Sequence, residues 1–342
     1  MKEAGDDPQA LAARLYALIN AAWTTRALAV AAKLRLVDVC TEPSDAASLA
    51  AKVHCDASAL ERLLRALCAI GICNARDDGA FEITPLGKLL AEDSPHSLRA
   101  WSLQFGERLW PAWAELDESV RTGLGTRERA GLAHGFAHLD QDPQAAAVFN
   151  RAMVDITRIV SADAVKHLDL AGAARFVDIG GGHGQLLVAF LHRWPRAEGI
   201  VFDLAHAQSG AVQHLAENGV GGRARFLAGD FFVDVPSGDV MLLKAILHDW
   251  NDERGTQILR SCRRALAPGG RLIVVDRLLP DRIEDDERHR DLVRSDLTML
   301  IGVGGRERTY TEFTRLLDAG GFTVATVHEL VLGLAMLECR AD

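Results

Sequence analysis

The stretch from Phe176 to Gly184, Phe-Val-Asp-Ile-Gly-Gly-Gly-His-Gly, constrains the fold of this 342-residue chain more than any other segment. A short apolar run with one aspartate, typical of a buried strand, leads into a loop with glycine at positions 180, 181, 182 and 184. Glycine lacks a Cβ atom, so such a loop can turn tightly and bring backbone N–H groups against a ligand. Residues 185–194 then have the pattern of a helix. Strand, glycine loop and helix in this order indicate a nucleotide-type site of an α/β protein.

The spacing of the glycines distinguishes two kinds of nucleotide site. A dinucleotide fingerprint, G-x-G-x-x-G, would require glycine at position 185, where the chain has Gln185. This difference disfavours an NAD-dependent dehydrogenase. The spacing D-x-G-x-G-x-G instead resembles motif I of S-adenosylmethionine-dependent methyltransferases. That resemblance implies S-adenosylmethionine as the cofactor, which becomes S-adenosylhomocysteine, with Gly180 and Gly182 beside it.

The pattern of elements divides the chain into three segments. Residues 1–100 and 101–168 are predicted to be mostly helical, and the second of these segments is expected to link the domains and to supply part of a substrate pocket. From residue 175 onward strands and helices alternate, which is the signature of a parallel α/β sheet. We predict strands near 175–179, 199–203, 224–227, 240–244 and 272–276, with a turn at 268–270, and a final helix and hairpin. Residues 169–342 therefore form the predicted cofactor-binding domain.

The N-terminal segment has the pattern of a winged helix. Two apolar-periodic helices, 44–53 and 57–72, are followed by a turn and a short strand at 80–84. Residues 41–90 carry five Lys or Arg and seven Asp or Glu. A winged helix that reads DNA should present a basic face. We therefore interpret this unit as a scaffold or dimerisation module rather than as part of a DNA-binding regulator.

Composition excludes several classes of partner. The formal net charge is −9, which disfavours a general attraction to nucleic acid or to anionic lipid. The N-terminus lacks an apolar core, and no run of about 18 apolar residues occurs, so we expect neither a leader nor a membrane span. The six cysteines contain no C-x-x-C motif, which is typical of reduced thiols in a cytoplasmic protein.

Four further residues lie at the predicted carboxyl ends of successive strands. Asp203 follows the second strand and is placed to accept hydrogen bonds from ribose hydroxyls. Asp230 can accept from an exocyclic amine, Phe231 can cover an adenine face, and Lys244 can meet a carboxylate. Taken singly, each has a simpler explanation as a helix cap, a core side chain or a solvated lysine. Their order along one sheet edge favours a single site that binds a ribose, an adenine and an amino-acid-like group.

A second motif, Leu243-Lys-Ala-Ile-Leu-His-Asp-Trp-Asn-Asp-Glu253, places a histidine near the same edge. His248 is the one histidine of the twelve that follows the fourth predicted strand directly. A neutral imidazole titrates near physiological pH and can take a proton from a phenol. An isolated histidine is more often structural, so the position of His248 beside the cofactor site carries this hypothesis.

Together these motifs resemble the small-molecule O-methyltransferases of plants, of the caffeic acid and flavonoid type, and of bacterial pathways to aromatic metabolites. The similar segments are VDIGGGHG, FDL, GDFF, LKAILHDWNDE and GGRERT. The resemblance implies a class I methyltransferase domain, Rossmann-like with a mostly parallel seven-stranded sheet and helices on both faces, after an N-terminal dimerisation domain. It implies that His248 is the general base, oriented by Asp276, where the plant pattern has Glu, and by Glu307. It also places Phe149, Met153 and Met299 on the acceptor side, although the last two could equally be helix core.

The identity of the acceptor stays open at this point. We expect a hydroxyl of an aromatic, polycyclic metabolite, and the alternative is an N-hydroxyl, an N-oxide or a ring nitrogen of a heteroaromatic compound such as a phenazine. No spacing typical of a zinc site accompanies the acids near His248, so we expect no metal. A homodimer is expected because the N-terminal segment is rich in alanine and leucine. In the family the partner often closes the acceptor pocket, and Leu15, Ile19 and Trp23 are candidates for that contact.

Overall fold

The computed structural model of the chain describes residues 7–132, 136, 139 and 142–341. The first six residues, where the sequence predicts no leader, lie outside this range. The contacts divide the chain into two compact units, Met1–Trp110 and Pro111–Asp342. No helix in the described part of the chain is both long and apolar enough to cross a membrane.

The first unit combines helices with a small wing. Its elements are α1 (Pro8–Asn20), α2 (Ala22–Lys33), α3 (Leu36–Val39), α4 (Ala46–Val53), α5 (Ala57–Ala69), β1 (Cys73–Ala75), β2 (Phe81–Ile83) and α6 (Arg99–Leu103), followed by a π-helical turn (Gln104–Arg108). Asp45 and Asp56 cap α4 and α5 by accepting from backbone N–H groups two residues into each helix. The antiparallel pair β1 and β2 forms the wing. The winged-helix prediction is confirmed, although the sequence assigned β1 to the turn.

The helix α1 presents an apolar surface that the described residues of its own unit leave exposed. None of its residues is buried. Large apolar side chains lie exposed along α1 and at the start of α2: Leu11, Leu15, Tyr16, Leu18, Ile19 and Trp23. An exposed apolar surface of this size is typical of an interaction site.

The second unit opens with helices, of which one is long. The short helices α7 (Trp110–Trp113), which begins at the last residue of the first unit, α8 (Leu116–Thr122) and α9 (Thr126–Arg129) precede α10 (Pro143–His167). Asp142 caps α10 by accepting from the N–H of Ala145, and Pro143 occupies the first helical position, where a missing N–H costs nothing. α10 therefore begins at a residue pair that strongly favours a helix start.

A mostly parallel sheet forms the centre of the second unit. The strands are β3 (Arg175–Ile179), β4 (Glu198–Asp203), β5 (Ala224–Ala228), β6 (Gly238–Lys244), β7 (Leu266–Leu279), β8 (Arg308–Thr309), β9 (Phe322–Glu329) and β10 (Leu334–Ala341). The order is β5-β4-β3-β6-β7-β10-β9, and β10 runs antiparallel to both of its neighbours. The two-residue strand β8 pairs with the end of β7. The predicted seven-stranded sheet is thus confirmed, with β8 as an addition.

Helices cover both faces of this sheet. They are α11 (Gln185–Arg193), α12 (Gln208–Glu217), α13 (Asp252–Ala265), α14 (Glu287–Gly302) and α15 (Tyr310–Ala319), together with α10. Neighbouring residues of a strand point to opposite faces. Accordingly Phe176 of β3 packs in one core with Phe190 of α11, whereas Val177 packs in the other with Phe313 of α15. Two apolar cores therefore hold the sheet between its helices.

The strand β7 differs from the sequence prediction at its start. Residues 268–270 were predicted to form a turn before a strand at 272–276, but β7 begins at Leu266 and includes them. Its pairing with β6 shifts register between Gly238 and Val240, and Gly269 has φ +74°. The glycine allows the chain to form a bulge and to continue the strand instead of leaving the sheet.

The order of the strands determines where a ligand can bind. The chain runs outward from β3 to β4 and β5, and then returns to β6 on the other side of β3. Open α/β sheets form a crevice at the carboxyl ends of the strands where the order reverses. The loops after β3 and β6 meet at this point.

Candidate active site

The loop after β3 adopts the backbone geometry that its glycines permit. Gly180 and Gly182 have φ of +66° and +55°. A Cβ atom on Gly180 would lie 2.4 Å from Ile246 Cδ1, so a larger residue would collide with the loop after β6. The N–H of Gly182 donates to Asp203 Oδ2 at 2.7 Å. The glycine loop is thereby joined to the carboxyl end of β4.

This loop forms one wall of a cavity of about 230 Å³ in the second unit. Every cofactor residue predicted from the sequence lies on its lining: Gly180, Gly182, Asp203, Asp230, Phe231 and Lys244. The structure therefore brings together residues that are up to 64 positions apart in the chain, from Gly180 to Lys244.

Asp203 is held in a fixed orientation. Its Oδ1 accepts from the N–H of Leu204 at 2.6 Å, and its Oδ2 accepts from Gly182. Burial raises the pKa of Asp203, while these two backbone N–H groups act in the opposite direction. Carboxylate oxygens can accept more than one hydrogen bond, so the side chain retains acceptor capacity toward the cavity.

Aromatic rings form the wall beside Asp230. Phe231, Phe232 and Trp250 meet edge to face, with ring centroids 4.8 Å apart between the two phenylalanines and 4.7 Å apart between Phe232 and Trp250. The guanidinium of Arg254 lies 3.9 Å from the centroid of Phe232. This arrangement gives the cavity an apolar aromatic wall with a cation at its edge.

Charged groups lie in the interior behind the glycine loop. Burial raises the pKa of Asp178 to about 7, although the N–H of Leu187 and the charge of Lys244 lower it. Burial also lowers the pKa of Lys244, against the attraction of Asp276, Asp178 and Asp249. These groups supply both signs of charge close to one end of the cavity.

Another wall of the cavity comes from one face of α10. Asn150, Met153, Val154 and Thr157 line the cavity at positions i, i+3, i+4 and i+7, the spacing of a single helix face. Phe149 lines it as well, and its ring lies 5.8 Å from the ring of Phe136. Of the three residues predicted on the acceptor side, Phe149 and Met153 thus face the cavity.

His248 lies in a short 3₁₀ turn, Leu247–Asp249, that follows β6. Its Nδ1 is 3.1 Å from Asp276 Oδ1 and 3.2 Å from Glu307 Oε1. Its Nε2 faces Asp249, with 3.7 Å between Nε2 and Oδ1. The neighbouring Asp249 lines the cavity, whereas His248, with 12% of its side chain exposed, lies just behind that wall.

Both predicted acids reach the imidazole. Asp276 ends the buried part of β7, and its shorter side chain comes as near to Nδ1 as the longer side chain of Glu307 does. Glu307 also accepts from the hydroxyl of Ser295 at 2.6 Å, and its N–H donates to Asp296. Two residues of α14 thus hold the loop that carries Glu307.

Three carboxylates control the charge of His248. Burial alone would lower its pKa, but Asp276, Glu307 and Asp249 outweigh burial and raise the pKa to about 10. Burial raises the pKa of Asp249 to about 7 and that of Asp276 to about 6, with the positive charge of His248 opposing both shifts. The ring is therefore a strong base, with Nδ1 directed at its acids and Nε2 directed toward the cavity side.

Arg308 and Gly305, which the sequence analysis did not single out, hold the turn of His248 in place. Arg308 is fully buried and donates to the carbonyl oxygens of Leu247 at 2.7 Å and Trp250 at 2.6 Å. The carbonyl oxygen of His248 accepts from the N–H of Arg306 at 2.8 Å. A Cβ atom on Gly305 would lie 2.1 Å from that same oxygen. The backbone of residues 305–308 is therefore packed directly against the turn.

Three aspects of the site go beyond the sequence analysis or differ from it. Met299 lies on α14 and is not among the described residues that line the cavity, so its place on the acceptor side stays a prediction. Asp249 and Asn150 face the cavity, although the sequence analysis gave neither a role. The i, i+3 spacing of Asn150 and Met153 could have indicated that Asn150 lies on the same helix face.

The ligand atoms of His248, Asp276 and Glu307 lie within 4.8 Å of one another, close enough to hold a metal ion. The contacts to Nδ1 are at hydrogen-bond distances, and Glu307 is already an acceptor for Ser295. A proton on Nδ1 accounts for this geometry, since a neutral imidazole can then accept at Nε2.

Comparisons with known proteins agree with this architecture. The profile of the O-methyltransferase domain matches residues 113–323, and that of the O-methyltransferase dimerisation domain matches residues 16–93. The chain is 39% identical to the phenazine O-methyltransferase of Lysobacter antibioticus, over 96% of each chain. It is 38% identical to the O-demethylpuromycin O-methyltransferase of Streptomyces alboniger, over 92% of this chain and 84% of that one. The crystal structure of human N-acetylserotonin methyltransferase with S-adenosylmethionine superimposes with a TM-score of 0.88, at 25% identity and complete coverage of both chains.

The cavity, its glycine loop and these matches lead to one conclusion. The chain belongs to the O-methyltransferase family, and it is an S-adenosylmethionine-dependent enzyme with a dimerisation domain ahead of its catalytic domain.

Proposed function

We propose that this enzyme methylates a hydroxyl of an aromatic, polycyclic secondary metabolite and that His248 is its general base. The observation that carries the proposal is the imidazole of His248, which two buried acids hold at Nδ1 beside a cavity walled by aromatic and thioether side chains. Such walls suit a flat acceptor, and the base suits a weakly acidic hydroxyl.

The residues of the cavity fit S-adenosylmethionine. In this proposal Asp203 accepts from the ribose, Asp230 and Phe231 meet the adenine, and Gly180 and Gly182 let the donor approach the backbone. Lys244 meets the carboxylate. The support is that all six line one cavity and that a Cβ on Gly180 would collide with Ile246. When bound, S-adenosylmethionine supplies an electrophilic methyl group and leaves as S-adenosylhomocysteine.

His248 removes the proton of the acceptor hydroxyl. With Nδ1–H directed at Asp276 and Glu307, the lone pair of Nε2 is available on the side of the cavity. The proton passes from the hydroxyl oxygen to Nε2, and the electron pair of the former O–H bond stays on oxygen as the nucleophile. The two carboxylates stabilise the imidazolium that forms.

The raised pKa of His248 favours this proton arrangement. A phenol has a pKa of about 10 in water, comparable to the value of about 10 for the imidazole. Phenolate beside imidazolium is therefore as accessible as phenol beside neutral imidazole. Proton transfer from a phenol to a histidine of ordinary pKa would be unfavourable. The carboxylates around His248 remove most of that free-energy cost.

The acceptor wall is the part of the proposal that concerns specificity. Phe149 and Met153 are proposed to pack against the acceptor ring, supported by their place on the cavity lining. Aromatic and thioether groups both pack well on the face of a planar ring. The relative from Lysobacter antibioticus is a phenazine O-methyltransferase, and we extend a phenazine-like acceptor to this chain.

A second candidate is methylation of an N-hydroxyl, an N-oxide or a ring nitrogen. The 31% identity to the phenazine-1-carboxylate N-methyltransferase of Pseudomonas aeruginosa, over 96% of this chain, favours a nitrogen acceptor. A ring nitrogen has no proton to lose, so its methylation would not depend on His248. Dependence of the rate on His248 therefore distinguishes an O–H acceptor from a bare nitrogen.

The proposal extends to assembly and location. A homodimer joined through the first unit is supported by the dimerisation profile and by the exposed apolar face of α1. Six free cysteines suit the reducing cytoplasm. The net charge of −9 gives no basis for a nucleic acid partner.

The test is a methylation screen. The enzyme is incubated with S-adenosylmethionine and a panel of polycyclic phenols, N-hydroxy heterocycles and unsubstituted phenazines, and products are identified by mass and by NMR of the new methyl group. Parallel reactions contain EDTA, or EDTA with excess Mg²⁺ or Zn²⁺. We expect O-methyl products at an undiminished rate with EDTA. Exclusive N-methylation, or activity that requires an added metal, would contradict the proposal.

A further inference from the structure

One buried polar side chain of the cavity lacks a hydrogen-bond partner among the described residues. Four polar side chains that are more than nine-tenths buried line it: Asn150, Thr157, Asp178 and Gln185. The hydroxyl of Thr157 donates to Met153 at 2.6 Å, Asp178 accepts from Leu187, and Gln185 is bonded to His214 at 2.9 Å. Within the described part of the chain, the amide of Asn150 makes no hydrogen bond, although only 7% of the residue is exposed.

Buried polar groups are usually hydrogen-bonded, so an amide that faces the cavity without a protein partner is available to a ligand. Asn150 is in the middle of α10, and its side chain turns into the cavity rather than back to its own helix. Its Oδ1 lies 4.0 Å from the position that a Cβ atom would take on Gly182. The amide thus lies beside the glycine loop on the lining of the cavity.

We propose that Asn150 binds the amino-acid end of the donor, with Oδ1 toward its ammonium and Nδ2 toward its carboxylate. An amide offers an acceptor and two N–H donors, which suits a zwitterion better than any single charged group does. The inference rests on the proposed acceptor wall. The methyl group must face Phe149 and Met153, and the amino-acid arm is attached to the same sulfur. Asn150 lies on the same helix face, between that wall and the glycine loop.

The competing assignments are to the ribose and to the acceptor. Asp203, which Gly182 holds, is the proposed partner of the ribose. The acceptor must approach the methyl from the side of His248, whereas Asn150 Oδ1 faces the glycine loop. A ribose contact would affect S-adenosylhomocysteine and 5′-methylthioadenosine equally, and an acceptor contact would affect the KM for the acceptor instead of donor affinity.

The experiment measures binding by calorimetry, without turnover. The ligands are S-adenosylhomocysteine, 5′-methylthioadenosine, which lacks the ammonium and the carboxylate, and decarboxylated S-adenosylhomocysteine, which keeps only the ammonium. The variants are Asn150→Leu, which has the same branched shape and the same number of heavy side-chain atoms, and Asn150→Asp, which keeps the acceptor, loses the donor and adds a negative charge. Ser161→Ala is the matched control, since Ser161 is buried on the same helix and is not part of the cavity lining.

We expect Asn150→Leu to lower the affinity for S-adenosylhomocysteine roughly tenfold or more and to leave the affinity for 5′-methylthioadenosine unchanged. Asn150→Asp should lower the affinity for S-adenosylhomocysteine and raise the affinity for the decarboxylated ligand. The reason is that the introduced negative charge repels the carboxylate and attracts the ammonium. The ligand-free melting temperature of Asn150→Leu should not fall, since an unpaired amide is replaced by an apolar group.

Three results would overturn the inference. An equal loss for S-adenosylhomocysteine and 5′-methylthioadenosine would assign Asn150 to the ribose or to pocket shape. Unchanged affinity for every ligand would remove it from the donor site, and a raised KM for the acceptor would then place it on the acceptor. A loss as large in Ser161→Ala would show a general effect of α10. Because donor binding is measured without an acceptor, the calorimetric results do not depend on the proposed O-methylation.

Discussion

Asp276 Oδ1 lies 3.1 Å from Nδ1 of His248, although this aspartate stands where the plant enzymes have the longer glutamate. Asp276 is the eleventh residue of β7, which begins at Leu266 and pairs directly with β6. His248 follows β6 by four residues. Adjacent strands thus carry the imidazole and its nearest acid, and this pairing accounts for the short contact.

Replacing His248 by alanine should lower turnover roughly 10²- to 10⁴-fold, the usual contribution of a general base. Affinity for S-adenosylhomocysteine should be nearly unchanged, because the ring lies behind the cavity wall. Steady-state kinetics and calorimetry measure the two quantities. His192→Ala, at an exposed histidine of α11, is the control. Unchanged turnover with a phenolic acceptor would remove His248 from the mechanism.

The pH dependence should report two pKa values. In the productive state the acceptor and the imidazole share one proton. kcat/KM should therefore rise with pH as the acceptor ionises, and fall when His248 loses its proton, near pH 10. Two acceptors whose phenol pKa values differ, and both lie below 10, should be compared. The lower apparent pKa of the profile should change with the pKa of the acceptor, and the upper apparent pKa should be the same for both. A lower limit near pH 6.5 with both acceptors would instead indicate a histidine of ordinary pKa.

Removing either orienting charge should shift that upper limit. Asp276→Asn and Glu307→Gln each remove one carboxylate from Nδ1, so each should lower the pKa of His248 and move the upper limit to lower pH. Turnover should fall roughly 10- to 100-fold, as for other groups that orient a functional imidazole. Asp318→Asn, at an exposed site on α15, should change neither quantity. A fall in rate without a shift of the profile would indicate that the acids act on the fold alone.

Asp203→Asn should weaken S-adenosylhomocysteine roughly 10- to 100-fold, because it removes a charged acceptor from the proposed ribose contact and weakens the bond to Gly182. Circular dichroism should show an unchanged fold. Asp234→Asn, an exposed aspartate that does not belong to the cavity lining, serves as the control. Equal calorimetric affinity in wild type and Asp203→Asn would refute the ribose assignment.

The exposed face of α1 should mediate dimerisation. Light scattering of the wild type should give about twice the chain mass of 37.1 kDa, and Leu15→Asp combined with Ile19→Asp should give the monomer mass, since charges cannot be buried unpaired in an apolar interface. Val233→Asp places the same charge on an exposed apolar residue of the second unit, and should leave the dimer intact. A wild-type mass of one chain would contradict the proposed homodimer.

Local patterns predicted much of this molecule. The glycine spacing and the acids at strand ends indicated the cofactor wall, because the parallel sheet brings its carboxyl ends to one edge. Other features depend on contacts between distant residues. Arg308 reaches the carbonyl of Leu247 across 61 positions, and nothing in the neighbourhood of either residue signals that contact. The start of β7 was missed because Pro-Gly-Gly usually ends an element, whereas here these residues form a bulge between the pairing of Leu266 with β6 and the pairing that resumes at Arg271.

Gly305 has a consequence for how such an enzyme can change its acceptor during evolution. Its bare backbone against the carbonyl of His248 ties the base to the segment that carries Glu307, so neither can shift without the other. A new acceptor of different width cannot be admitted by moving the base. Adaptation must instead fall on α10, where single side chains can be exchanged without disturbing that joint. Substitutions that change the acceptor should therefore occur on the cavity face of α10, while His248 and its two acids remain the same from one acceptor to the next.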